Sequence, residues 1–466
     1  MPGYYKETTG RHETNPNEEF MTRNLLTRRT VLQTAAATAL AAPFVRGAHA
    51  AGKLSFGVWD HWVPGAAEEL KKICGEWAAK EKVDLNVDLI TSNGDKDLLT
   101  LMAEGQAKAG HDMMGLRTWY LSAQANNFVP VDDIVLPVIK EYGPIAQASE
   151  YTGKIDGHWM AVPTSYGNGS LPPCARIDYM KKYVGLDVQK MYPAGAPPDK
   201  ELVETWEWNN FLKAAEKCFR AGHPFALGLS TCTDAINMAG AVFHSFGADL
   251  VDAKGDITVK TDATRQVLEF FKQLAQSLEG DVYAYDNASN NKALVSGKSA
   301  LIFNPPSAYA VAKRDQPKVA EQLWTFHSPK GPQGRYDPCN PYFWAVWNFS
   351  QNIPAAKSLL AHLMTRPVQE KLVTASVGFD IPPYDKWMDF KIWEEEAPPK
   401  GTNYNYPPRH DATPSLAGYP APLKIGTQMF AQATLTKMIA KVTQQGQSFN
   451  NAMSWAEDEI EGFMRS

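Results

Sequence analysis

Two short stretches carry side chains whose types and spacing could do chemistry. The first reads Trp59-Asp60-His61-Trp62-Val63-Pro64-Gly65 and the second Arg117-Thr118-Trp119-Tyr120. Indole and phenol rings beside a carboxylate, an imidazole and a guanidinium can hold a polar ligand. Each residue also has a plainer reading. His61 has the type of a general base, but no serine or cysteine nucleophile motif accompanies it, so a solvent-facing loop histidine is expected. Arg117 can clamp a carboxylate or phosphate through paired N–H bonds, or make a structural salt bridge. Asp60 can face a ligand or cap the helix that starts near Pro64. Trp59 and Trp62 are large enough to be core, yet a ligand role is expected for at least one of them.

Catalytic and metal signatures are missing. The chain has no GxSxG and no HExxH motif. Its five cysteines, Cys74, Cys174, Cys218, Cys232 and Cys339, have no CxxC spacing, which leaves a zinc or redox site unsupported. Cys218 and Cys232 could pair in an oxidising compartment. Glu394-Glu395-Glu396 reads as a solvated charge run. Tyr404, Tyr406, His410 and Asp411 form only a loose group for an iron or other metal receptor. The expectation is therefore no catalytic residue, no metal and no cofactor. An exported glycoside hydrolase stays as the alternative, because paired carboxylates can converge from distant positions.

The elements that must position these loops follow from periodicity. Lys53 to Trp59 reads as a strand. Ala66, Leu70, Ile73, Cys74, Trp77 and Ala78 then recur at helical steps, which puts them on one face. Asp84 to Leu89 alternates as a strand. Thr91-Ser92-Asn93-Gly94-Asp95 caps a helix with apolar positions Leu98, Leu99 and Met102. His111 to Leu116 is a third strand. This βαβαβ order predicts parallel strands with crossover helices. Ligands bind beyond the carboxyl ends of such strands, the edge that holds the loops at 59–65, 91–95 and 117–120. Further on, helices are expected from Thr205 through Phe219, with Trp206 and Trp208 as core, and over 263–278, 355–364 and 448–463. Short strands are expected at 299–303 and 341–349, and a long loop at 391–422.

Bulk composition fits an ordinary globular protein: 466 residues, 44% hydrophobic, 21% charged, net charge −5. A chain of this length exceeds one ordinary core, so two domains are expected. The acidic balance gives no reason to expect nucleic acid as a partner. Aromatics are plentiful, and several sit beside Gly, Pro and Asn in loop-like stretches where ligand contacts concentrate. Residues 1–50 read as an N-terminal extension and an export signal. Arg28-Arg29 precedes the short apolar run Ala35 to Ala42 and a small-residue site at Ala48-His49-Ala50. The arginine pair resembles a twin-arginine signal, with Met21 as the natural start and cleavage near Ala50/Ala51, which predicts a periplasmic protein.

Three further segments complete the pattern: Lys154-Ile155-Asp156-Gly157-His158-Trp159-Met160-Ala161-Val162-Pro163, Thr205-Trp206-Glu207-Trp208-Asn209-Asn210-Phe211, and Lys292-Ala293-Leu294-Val295-Ser296-Gly297-Lys298-Ser299-Ala300-Leu301. In that order, they make the chain resemble a family-1 extracellular solute-binding protein of bacterial ABC importers, of the carbohydrate-type, maltose-binding-protein-like kind. The resemblance implies an α/β, two-lobe periplasmic-binding-protein (class II) fold with a hinge. Crossings are then expected near 163–168, 339–344 and 378–383. Lobe one would be 51–165 with 343–378, and lobe two 166–342 with 379–466. It implies a monomeric receptor for a polar solute, a sugar or sugar derivative, delivered to membrane permease subunits. Trp59, Asp60, His61, Trp62, Asn93, Arg117, Trp119 and Tyr120 would line the cleft from one side. Tyr166, Asn168, Thr231, Asp234, Asn304, Asn340, Tyr342 and Tyr419 would line it from the other. The loop Asn304-Pro305-Pro306-Ser307 lacks the stacking tryptophan that many relatives carry there. That leaves Tyr309 or a residue of another loop as platform and points away from a long linear oligosaccharide.

Overall fold

A computed structural model describes residues 52–465, apart from 195, 305–306 and 396–411. The export signal, its cleavage site and the Tyr404–Asp411 group lie outside the described residues.

The first sheet forms as the period-two pattern predicts. Strand β1 (Lys53–Trp59) leads into helix α1 (Pro64–Glu81), whose buried face contains Ala66, Leu70, Ile73, Cys74, Trp77 and Ala78. Pro64 suits the first helical turn, where its missing N–H costs nothing. Strand β2 (Asp84–Ile90) pairs parallel with β1 along its whole length. Helix α2 (Lys96–Ala107) then returns the chain to β3 (Met113–Arg117), also parallel to β1. The sheet is completed by Tyr342–Val346, antiparallel to β3, and by Val162–Pro163. Because Tyr342 sits opposite Arg117 in that pairing, the two side chains share one end of the sheet.

The face of α2 differs from expectation. Leu99 and Met102 are exposed, and Asp97, Leu101 and Glu104 are buried instead. Asp97 ion-pairs with Arg117, and Glu104 bonds His111 and the Trp347 indole. Paired charges therefore occupy an inner face that an apolar count assigns to leucine and methionine. Phe219 likewise lies exposed at the end of its helix, while Cys218 takes the buried position.

The second sheet has Pro173–Arg176 at its centre, antiparallel to both Leu301–Phe303 and Leu323–Thr325. Helices Trp208–Arg220, Thr233–Phe246, Asp262–Leu274, Thr434–Thr443 and Phe449–Arg465 surround it. Trp206 and Trp208 are buried there, their indole N–H groups donating to the His327 carbonyl at 3.0 Å and the Ser245 hydroxyl at 2.7 Å. Ser448 accepts from Asn451 N at 3.2 Å, the expected cap of the last helix.

The two sheets own separate large cores. The chain leaves the first sheet after Pro163 and re-enters it at Tyr342. The crossing expected at 378–383 is not there. Phe379, Tyr384, Trp387, Phe390 and Trp393 pack in the first core, with the Trp393 indole donating to Gly378 O at 3.2 Å. Ring contacts of Phe379 with Trp59 and of Trp387 with Tyr142 hold it to the first half. The region read as one long loop also contains helix Ile392–Glu395 and strand Thr413–Ser415, the latter paired parallel with Tyr336–Pro338. All five cysteines are free thiols, so Cys218 and Cys232 are not paired.

Candidate functional site

A cleft opens at the carboxyl edge of the first sheet and is closed from the opposite side by residues around the second. Trp59, Trp62, Ser92, Arg117, Tyr342 and Phe379 line it from the first sheet and its core, Gly167, Gly169, Leu171 and Asn340 from the passages between halves, and Thr233, Asp234, Asn287 and Asn304 from the far side. Its cavity volume is ≈ 50 Å³. Since one water needs about 10–15 Å³ on this measure, that is room for about three to five waters. The halves are correspondingly close: Arg117 Nη1 reaches Thr233 Oγ1 at 3.5 Å.

Arg117 is fixed before any ligand arrives. Its Nε lies 2.7 Å from Asp97 Oδ2 and its Nη2 donates to Asp97 Oδ1 at 2.9 Å. The guanidinium also rests 5.3 Å from the Tyr120 ring centre. One hydrogen bond and the close Nε contact with Asp97 compensate the charge and leave Nη1 for Thr233. Trp59 is nearly buried, its indole donating to Ser92 Oγ at 3.2 Å, and Trp62 stands edge-on to it with ring centres 6.2 Å apart. Trp62 is the partly exposed member of the aromatic group and lines the cleft.

Asp234 occupies the first turn of helix Thr233–Phe246. One oxygen, Oδ2, accepts from Asn290 Nδ2 at 3.1 Å and Asn304 Nδ2 at 3.3 Å. Burial pushes its pKa up to about 7, against the lowering effect of the Asn290 bond and of Arg117. Asn304 is oriented by the Ser307 hydroxyl, which donates to its Oδ1 at 2.8 Å. On the near side the Thr118 hydroxyl bonds Asn340. The second half thus presents amides and one carboxylate held by a hydrogen-bonded frame.

Several residues expected in the cleft are elsewhere. Trp119 is 1% exposed and packs in the second core, against Tyr151, Phe430, Gly418 and Gly426. At Gly426 a Cβ would come within 2.6 Å of the Trp119 ring, so the indole uses the space that glycine leaves. His61 is buried rather than solvent-facing: its Nε2 meets Asp380 Oδ1 at 3.0 Å and its Nδ1 accepts from Val63 N at 2.9 Å. That pairing ties the first loop to the passage between halves, because Asp380 Oδ1 also accepts from Gly167 N at 2.8 Å. Tyr166 is buried, its hydroxyl donating to Trp59 O at 2.7 Å, and braces the loop from behind. Asn168 donates to Ile381 O. Asp60, Asn93, Tyr120 and Thr231 are outside the cleft lining, Asn93 and Thr231 on the exposed surface. Half-burial raises the Asp60 pKa, with the Thr91 hydrogen bond opposing. Tyr309 is buried in a small core with Ala308 and Leu323. Tyr419 lines a separate cavity of ≈ 450 Å³ with His244 and Tyr336.

Trp59, Trp62, Arg117, Asp234, Asn304, Asn340 and Tyr342 are therefore brought together as expected. Ser92 comes from the 91–95 loop expected at this edge without being a candidate itself, and Thr233, Asn287 and Phe379 are additions to the expected set. Asn287 had a signal in the asparagine-rich run Asn287-Ala288-Ser289-Asn290-Asn291; Phe379 had none, since it depends on a chain path that only the packing reveals.

The family model for bacterial extracellular solute-binding proteins matches residues 76–396. The chain belongs to that family. Similar solved structures include maltose-bound MalE3 of T. maritima, at 17% identity and TM-score 0.65, covering 88% of this chain and 99% of that one. A solute-binding protein of an ABC transporter from Thermotoga lettingae, bound with α-D-tagatose, is similar at 15% identity and TM-score 0.67, covering 89% and 100%. The GacH receptor of Streptomyces glaucescens, solved unliganded and with acarbose, is similar at 16% identity and TM-score 0.67, covering 90% and 100%. These likenesses show the two-lobe periplasmic-binding-protein fold. No curated protein matches the chain. Extracellular solute-binding proteins are exported proteins.

Proposed function

We propose that this receptor captures a small polar solute, a sugar or sugar derivative, in the cleft and delivers it to the permease subunits of an ABC importer. The observation that carries the reading is the mixture lining one narrow cleft. Trp62 offers a partly exposed aromatic ring. Arg117, Asp234, Asn287, Asn304 and Asn340 offer oriented hydrogen-bond partners from both sides. An aromatic face covers the C–H face of a sugar ring, and fixed amides and charges pair its hydroxyls, so that closure leaves no polar group unmatched. Receptors of the same fold are described as bound to maltose, α-D-tagatose and acarbose. A cavity of ≈ 50 Å³ is smaller than any sugar ring, so the halves must part for entry and close on the solute.

The lobes we infer are residues 52–165 with 343–395, and 166–342 with 412–465. Arg28-Arg29 supports export by the twin-arginine route, with cleavage near Ala50/Ala51 and a periplasmic location. The receptor works as a monomer, binds no nucleic acid and turns nothing over. A thermal-shift screen of the mature chain against hexoses, disaccharides, polyols and small acids tests this. A ligand bound only by the folded state raises the midpoint in proportion to log concentration. Shifts confined to small acids, or hydrolysis of a bound glycoside, would replace the reading with another.

A further inference from the structure

We propose that the preferred solute carries a positive charge: an amino sugar or comparable hydroxylated amine, with its ammonium group against Asp234 and the aromatic wall of the cleft. This rests on the sugar-receptor reading of the same site and adds the charge of the ligand.

The two charged groups facing the cleft are not equivalent. Arg117 already has an ion-pair partner in Asp97, hydrogen-bonded through Nη2, and Asp95 stands 3.9 Å away. Asp234 has no cationic partner within 4 Å among the described residues; its contacts are the amides of Asn290 and Asn304, both on Oδ2. Both bonds fall on Oδ2, so Oδ1 accepts no hydrogen bond from the described residues, and Asp234 lines the cleft. Burial, helped to a lesser degree by Asp286, outweighs the Asn290 bond and the Arg117 charge and pushes the carboxyl pKa up to about 7, so the group is part-protonated near neutral pH. Against a neutral hydroxyl the part-protonated carboxylate loses still more of its charge as the cleft closes, because a buried charge without a partner is costly. An ammonium group compensates it. The same cleft contains Trp59, Trp62, Tyr342 and Phe379, and the faces of aromatic rings attract cations electrostatically. With Asp95, Asp97 and Asp234 set against Arg117 alone, the local charge is negative, which repels an anionic solute.

Calorimetry on the mature chain separates this from its parent reading. The probes are glucose, galactose and mannose, each against its 2-amino-2-deoxy counterpart, with glucuronate as the anion. For the best-bound pair the amino form should bind at least tenfold tighter than the neutral form at pH 7, with glucuronate weakest. In Asp234→Asn that ratio should fall below threefold, with Asp234→Glu retaining a preference for the amine. Repeating the titration in buffers of different ionisation enthalpy should show proton release on amine binding at pH 6.5, absent in Asp234→Asn. Equal or tighter binding of the neutral sugar to the wild type would overturn the charge assignment and leave the sugar reading intact. An amine preference that survives Asp234→Asn would overturn the role of this carboxylate. Failure of every probe to bind would overturn both.

Discussion

Trp62→Ala and Trp119→Ala should behave as opposites, although both residues come from aromatic loops at the same sheet edge. Trp119 is 1% exposed and wedged into the second core between Tyr151, Phe430 and the glycines at 418 and 426. Truncating a fully buried tryptophan costs about 3–5 kcal/mol, because the surrounding glycines cannot collapse into the space. With a urea slope of about 3 kcal/mol/M, that lowers the unfolding midpoint by about 1 M or more. Affinity in the surviving folded fraction should change less than threefold. Trp62 is partly exposed and lines the cleft. Its truncation should move the midpoint by less than about 0.3 M, since surface-accessible substitutions rarely exceed about 1 kcal/mol. Loss of an aromatic anchor at a binding site costs about 2 kcal/mol or more, over tenfold in affinity. The assay pairs urea unfolding, followed by tryptophan fluorescence and far-ultraviolet dichroism, with calorimetry against the tightest solute of the screen. Unchanged affinity in Trp62→Ala, or a tenfold affinity loss with normal stability in Trp119→Ala, would refute the separation of core from site.

Replacing Arg28 and Arg29 by lysine should block delivery of the mature chain to the periplasm, read by fractionation; unchanged export would remove the twin-arginine assignment. His111 gives a pH signature. Burial favours its neutral form, but bonds to Asp88 and Glu104 outweigh that and raise its pKa to about 9. A histidine pKa raised in the folded state adds stability that is complete below about 6.5 and lost as pH climbs through about 9. Stability should therefore fall over that window, and His111→Gln should flatten the slope. Asp234 acts with the opposite charge type: the folded state holds a proton to about pH 7 that the unfolded chain releases near 4. Its contribution costs stability as pH rises from about 4 to about 7, so Asp234→Asn should stabilise the ligand-free protein at pH 7.5 and above in chemical denaturation. Gly331→Ala would place Cβ 2.3 Å from the Ser245 carbonyl oxygen and should leave little folded protein, measured as soluble yield and dichroism.

What could be read from the sequence was the part governed by local pattern. The βαβαβ start, the buried face of α1 and the last helix follow from apolar spacing, and the carboxyl-edge rule points to the loops at Trp59 and Arg117. What could not be read depends on which polar groups find partners across the fold. Asp97 and Glu104 turn α2 because Arg117 and His111 wait on β3 and just before it. His61 is drawn inward by Asp380, 319 residues away. Trp119 leaves the cleft because two distant glycines make room for it. The path of Phe379 to Trp393 was hidden for the same reason: its aromatics carry no period and find their place only against the first core.

A structure of the mature chain crystallised with the tightest solute of the screen tests the central claim most directly. The account predicts one solute held between the halves, touching Trp62 or Arg117 on one side and Asp234 and Asn304 on the other. A solute bound instead in the cavity beside His244, Tyr336 and Tyr419, or to one half alone, would contradict it.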